Sequence, residues 1–183
     1  MSGYPMVRIV GLMTARSHIL SAFRFADYAT GEVTLANELW REVPEHSLTL
    51  VDRGAPLPSL VQLHASGSEK HFLTRLKSRT PTKTVKKLGP NDKLVEIPMP
   101  REARKENPAL PATVCLRAVR YQRRGFRPST LLTSLMNPER YPATELIKLY
   151  HERWEIELAY DEVKTHLLAR EECIRSRTPA GIR

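Results

Sequence analysis

The hydrophobic residues of this 183-residue chain fall into short runs, none near the eighteen or so consecutive apolar positions that would cross a bilayer. Burial must therefore be shared among small strands and amphipathic helices. Met6 to Met13 and Ile19 to Tyr28 are rich in β-formers on either side of a polar turn around Ser17, which predicts an antiparallel pair. Glu32 to Val43 places Val33, Leu35, Ala36, Leu39, Trp40 and Val43 at helical spacings and stops before Pro44, so it reads as a helix. Ser47 to Val51 is a short buried strand with Asp52 at its C-terminal end and Gly54 opening a loop. Leu57 to Ala65 reads as a short helix and His71 to Lys77 as a strand. A hairpin follows, Val85–Leu88 and Leu94–Ile97 around Gly89-Pro90-Asn91-Asp92, and then a charged, proline-bounded loop to Pro111. Val114 to Tyr121 and Thr130 to Leu135 add two strands, and Pro142 suits the first turn of a long helix through Leu168.

Several functions are excluded. Arg8 interrupts the N-terminal stretch that most resembles a signal sequence, so the expectation is a cytoplasmic protein with no membrane partner. The eight glycines are scattered, no two closer than eight positions, which removes both the GxGxxG turn and the phosphate-cradling loop and with them a nucleotide cofactor. Cys115 and Cys173 stand 58 positions apart without metal-ligand spacing and read as free thiols.

The charge is uneven. Between Lys70 and Arg127 sixteen basic residues face four acidic ones, a local +12, while the rest of the chain sums to −3. Such a segment attracts a polyanion, because each neutralised phosphate releases a condensed counterion; Arg120, Arg123, Arg124 and Arg127 form its tightest group. Nucleic acid is the leading partner, and a solvated surface that keeps the protein soluble is the other reading.

The final helix carries Tyr150, Arg153, Glu157 and Lys164 in a Y-x2-R-x3-E-x6-K array. At 100° per residue, Arg153, Glu157 and Lys164 lie at about −60°, −20° and −40° from Tyr150, so the four share one narrow face. Ion pairs at i,i+3 and i,i+4 spacings explain part of that pattern as well, and spacing alone leaves both readings open.

In these residues the chain resembles the DDE transposases of bacterial insertion sequences, specifically the insertion-sequence-four family with its YREK signature. Leu149 to Glu157 and Asp161 to His166 are similar to that signature beyond its four anchors, Thr49 to Gly54 resembles the family's second-aspartate motif, and Leu132 to Leu135 the strand before the YREK helix. The resemblance implies an α/β fold with a ribonuclease H-like core. On this reading residues 1–78 are part of the catalytic core, 79–141 a basic β-strand insertion, and 142–183 the YREK helix returning to the core. Asp52, ending a central strand, and Glu157 would be the second and third catalytic carboxylates, together holding a divalent metal, usually Mg2+. Tyr150, Arg153 and Lys164, at least partly solvent-accessible beside them, would contact the DNA backbone of transposon ends.

Chemistry agrees with that assignment. Two carboxylates brought to about 4 Å repel by roughly 4 kcal/mol at an effective dielectric of 20, so their convergence calls for a cation between them, and hard oxygen ligands suit magnesium. The family's first aspartate has no counterpart here: Asp27 is the first acidic residue and lacks the motif's context, and Ala55-Pro56-Leu57 stands where the family commonly has Phe. The expectation is a truncated transposase whose family reaction is metal-dependent DNA cleavage and strand transfer, inactive by itself. The alternative is a nonenzymatic nucleic-acid-binding remnant or a regulator of a full-length relative. Its partner is double-stranded DNA in the nucleoid, with a homodimer in a synaptic complex left open.

Overall fold

A computed structural model describes residues 6–153, which divide into two compact units, residues 43–151 and residues 6–42 with 152–153. In the smaller unit, β1 (Val7–Met13) and β2 (Leu20–Asp27) form the expected antiparallel pair, with Ile9 opposite Phe25 and Gly11 opposite Phe23. Asp27 accepts from both the amide and the hydroxyl of Thr30 through one oxygen, each at 3.0 Å, and so fixes the turn that leads into α1 (Glu32–Leu39). That helix packs on the hairpin and buries Leu35 and Leu39. It ends four residues short of the predicted Val43, in a turn closed from the Glu42 amide to the Leu39 carbonyl, and Val43 itself, preceding Pro44, is disfavoured from helical geometry.

The larger unit is a six-stranded mixed sheet in the order β3-β4-β8-β7-β6-β5. β3 (Ser47–Leu50) runs parallel to β4 (Lys70–Arg75), joined by α2 (Leu57–Ala65), and every other neighbouring pair is antiparallel. β5 (Lys83–Gly89) and β6 (Asp92–Pro98) are the predicted hairpin, and β7 (Thr113–Tyr121) and β8 (Ser129–Thr133) complete the sheet. The strands of residues 79–141 thus belong to one hydrogen-bonded sheet with β3 and β4, joined where β8 pairs with β4. β3 was expected to be central; among the described residues it is one of the two edge strands of this sheet, since its only neighbour, β4, pairs on its other side with β8.

Strand alternation sends Leu73, Val119 and Leu131 to one face, where α4 (Ala143–Glu152) adds Leu146 and Tyr150 to a buried cluster. On the opposite face Leu60 of α2 meets Thr74 and Leu132 around a cavity of about 40 Å³. The stretch expected to be a loop before Pro111 contains α3 (Arg101–Glu106). Its charges hid a run of good helix formers that starts after Pro100, whose carbonyl accepts from the Arg104 amide. The predicted continuation of α4 toward Leu168 lies outside the described residues.

Arg117 is a charge that the pattern of β7 did not expect to be buried. Its side chain is fully enclosed, its Nε lies 2.9 Å from one Asp92 oxygen, and its Nη1 donates to the Tyr141 carbonyl at 2.7 Å. Two of the sixteen cations of the basic segment, Lys70 and Arg117, are thus buried, and Arg117 ties β6 and β7 to the chain entering α4.

Candidate nucleic-acid interface

Asp52 leaves the carboxyl end of β3, where the Val51 amide still bonds the Leu73 carbonyl at 3.0 Å. Its own carbonyl accepts from the Thr74 hydroxyl at 3.1 Å and from the Ala55 amide at 3.2 Å, so the main chain beneath the exposed side chain is pinned on both sides. Lys77 donates to the Gly54 carbonyl at 3.2 Å and Arg53 to the Ser78 hydroxyl at 3.3 Å, which clamps the Asp52 loop to the segment leaving β4.

Because β4 is parallel to β3 and β8 and β6 run opposite to β7, the carboxyl ends of β3, β4, β7 and β5 and the amino ends of β8 and β6 lie at one end of the sheet. Arg75 binds the Ser129 hydroxyl at 2.9 Å across that end. Near that end Arg120, one residue before the end of β7, and Arg123, Arg124 and Arg127 of the connection to β8 are all exposed. The tip of that connection is a turn closed from the Phe126 amide to the Arg123 carbonyl at 3.0 Å, with Gly125 at φ +82°, a conformation that side-chain-bearing residues resist. The four sequence-predicted arginines are thus gathered with Asp52 at the same sheet end, whereas Arg101 and Lys105 on α3 belong to the opposite one.

The YREK residues fare differently. Tyr150 was expected to be accessible and is only 3% exposed, packed with Leu146 and Leu73. The reason is the α4 stripe itself: Ala143, Leu146, Ile147 and Tyr150 recur at i, i+3, i+4 and i+7, so Tyr150 completes the apolar face that meets the sheet. A direct DNA contact by its ring is incompatible with that burial. Arg153 is half-buried and falls in the smaller unit, and Glu157 and Lys164 lie outside the described residues.

Two residues escaped the sequence reading. Phe126 is 69% exposed between Arg124 and Arg127, and an aromatic among arginines was the signal that could have singled it out. His151 sets its ring edge-on to Tyr121 at 5.6 Å, and neither ring nitrogen has a hydrogen-bond partner among the described residues. Burial holds its pKa below the usual imidazole value, and the positive charges of Arg123 and Arg75 press the same way.

Asp52 offers the hard, exposed oxygen that magnesium prefers. Among the described residues no three histidines, cysteines or acidic side chains are grouped to hold a metal ion, and the carboxylate expected to join Asp52 is Glu157, beyond them. No described helix is long and apolar enough to cross a membrane.

Residues 2–183 match the family of transposase DDE domains. The chain is 33% identical over 177 residues, 96% of its length, to the transposase InsG for insertion sequence element IS4 of Escherichia coli strain K12. It is 34% identical over 73 residues to the putative transposase InsZ of the same organism. The chain spans 40% of the first relative's length, and the second match covers 24% of that relative.

Proposed function

The chain belongs to the transposase DDE domain family, and on that premise we propose that it is part of an IS4-type transposase that binds duplex DNA along the cationic end of its sheet. The observation that carries this is the convergence of Arg75 and the Arg120–Arg127 connection with Asp52, reached by strands far apart in sequence. The β3–α2–β4 unit with an aspartate leaving its first strand supports a ribonuclease H-like core, and β5 to β8 read as an insertion built onto the free edge of β4.

The residues divide the work. Exposed arginines neutralise backbone phosphates, releasing counterions and holding the duplex in register. The half-exposed guanidinium of Arg75, held by Ser129, stands on the strand next to the one that ends at Asp52 and suits a phosphate brought to that carboxylate. Phe126 supplies a bare ring beside the phosphate-binding arginines, fit to lie against a sugar or a base. Asp52 and Glu157 would hold the divalent metal that the family implies, which when bound neutralises charge on the attacking and leaving oxygens of a phosphodiester. Tyr150 serves by anchoring α4, and so the start of the segment that carries Glu157, to the sheet.

The test is the salt dependence of duplex binding. Replacing Arg120, Arg123, Arg124 and Arg127 together with Ala should lower the slope of log K against log salt by about 0.9 for each phosphate left without its arginine, about 3.6 in all. All four are exposed, so folding should survive. An unchanged slope would move the DNA surface elsewhere.

A further inference from the structure

A groove of about 360 Å³ opens between the β5–β6 turn and β7, lined by Lys87, Lys93, Arg120, Asn91 and Thr130. The register explains why its cations converge. Lys87 stands opposite Lys93, Lys93 opposite Ala118, and Arg120 opposite Thr130, and directly opposed residues share a sheet face. Placing Lys87 and Lys93 opposite each other is itself unfavourable, since like charges across a ladder repel. Asp92 also lines the groove, yet its carboxylate is taken by the enclosed Arg117, so the groove keeps its positive charge. Lys93 reaches the Thr84 hydroxyl at 3.1 Å, a bond that leaves its charge uncompensated.

We propose that this groove is a second phosphate-binding site, which holds the duplex beyond the stretch gripped at Asp52. The proposal rests on the DNA-binding reading above and adds a place and a distance to it. The groove's cations stand on β7, β6 and β5, three to five strand spacings from β3, which at about 4.8 Å each is about 14 to 24 Å. That corresponds to about four to seven base pairs of duplex at about 3.4 Å per step. One continuous track of cations across the strand ends would then guide the DNA away from the carboxylate.

The experiment measures binding of a 20-base-pair fluorescent duplex by anisotropy across a salt series, for the full chain and two charge-matched variants. Lys87→Gln with Lys93→Gln removes two groove cations and keeps their stems; Arg101→Gln with Lys105→Gln removes two cations from α3 at the opposite sheet end. The groove pair should lower the log–log slope by about 1.8, while the α3 pair leaves it unchanged. Equal slopes for both variants, whether both reduced or both intact, would overturn the groove assignment and leave DNA binding standing. A parent chain with no salt-dependent binding would instead overturn the DNA-binding reading and the groove with it.

Discussion

Arg117 illustrates how one side chain can be costly and indispensable at once. Its desolvation is offset by bonds to both oxygens of Asp92 and by the Tyr141 carbonyl, with the carbonyls of Leu135 and Asn137 further out at 3.4 Å. Removing one partner strands the other charge, so Arg117→Met should lower unfolding stability by about 3–5 kcal/mol in urea melts with an unchanged m-value. Adding Asp92→Leu should recover part of that loss, because no buried carboxylate is then left unpaired. The recovery should stay incomplete, since the Tyr141 carbonyl still loses its donor. A single variant as stable as the parent would show that the ion pair contributes nothing net.

At the scale of an element, α4 is held by its apolar stripe. Leu146 is 3% exposed in the same cluster as Tyr150, whereas Lys148 faces solvent. Leu146→Ala should therefore cost about 2–5 kcal/mol through reduced burial and the cavity left behind, and Lys148→Ala less than about 0.5 kcal/mol. Thermal or urea unfolding of the two variants side by side checks the contrast, and equal effects would detach α4 from the core. The β5–β6 hairpin is stabilised differently, by its ladder and by the Arg117 bridge to Asp92, the first residue of β6. It can therefore display exposed lysines on β5 without a second buried layer there.

For the whole molecule, binding and chemistry should separate. On the proposed reading the cationic sheet end supplies the binding, while no residue of the chain stands in the sequence context of the family's first aspartate. The 183 residues by themselves should thus retain a transposon-end duplex and leave it uncut in magnesium, with Glu157→Gln as the matched control. Nicking that depends on Glu157 would mean that another carboxylate completes the site. Asp27 is poorly suited to that task, because one of its oxygens already accepts two bonds from Thr30.

The order and kind of nearly all elements were legible in the sequence, since turn residues and hydrophobic period are local properties of the chain. Asp52 at a strand end and the arginine group of the β7–β8 connection were legible for the same reason. Three things were decided by tertiary structure. The sheet order brings Arg75 to Ser129, 54 positions away, and only that pairing sets the arginines and Asp52 at one end. Tyr150 was expected at the surface because it shares a helix face with Arg153, Glu157 and Lys164, and packing on Leu73 and Leu146 made it core. Arg117 counted as one more cation until β6 set a carboxylate against it. Periodicity carries information about a residue's own neighbours along the chain; which distant strand lies alongside, and so which charges meet, is fixed only when the sheet closes.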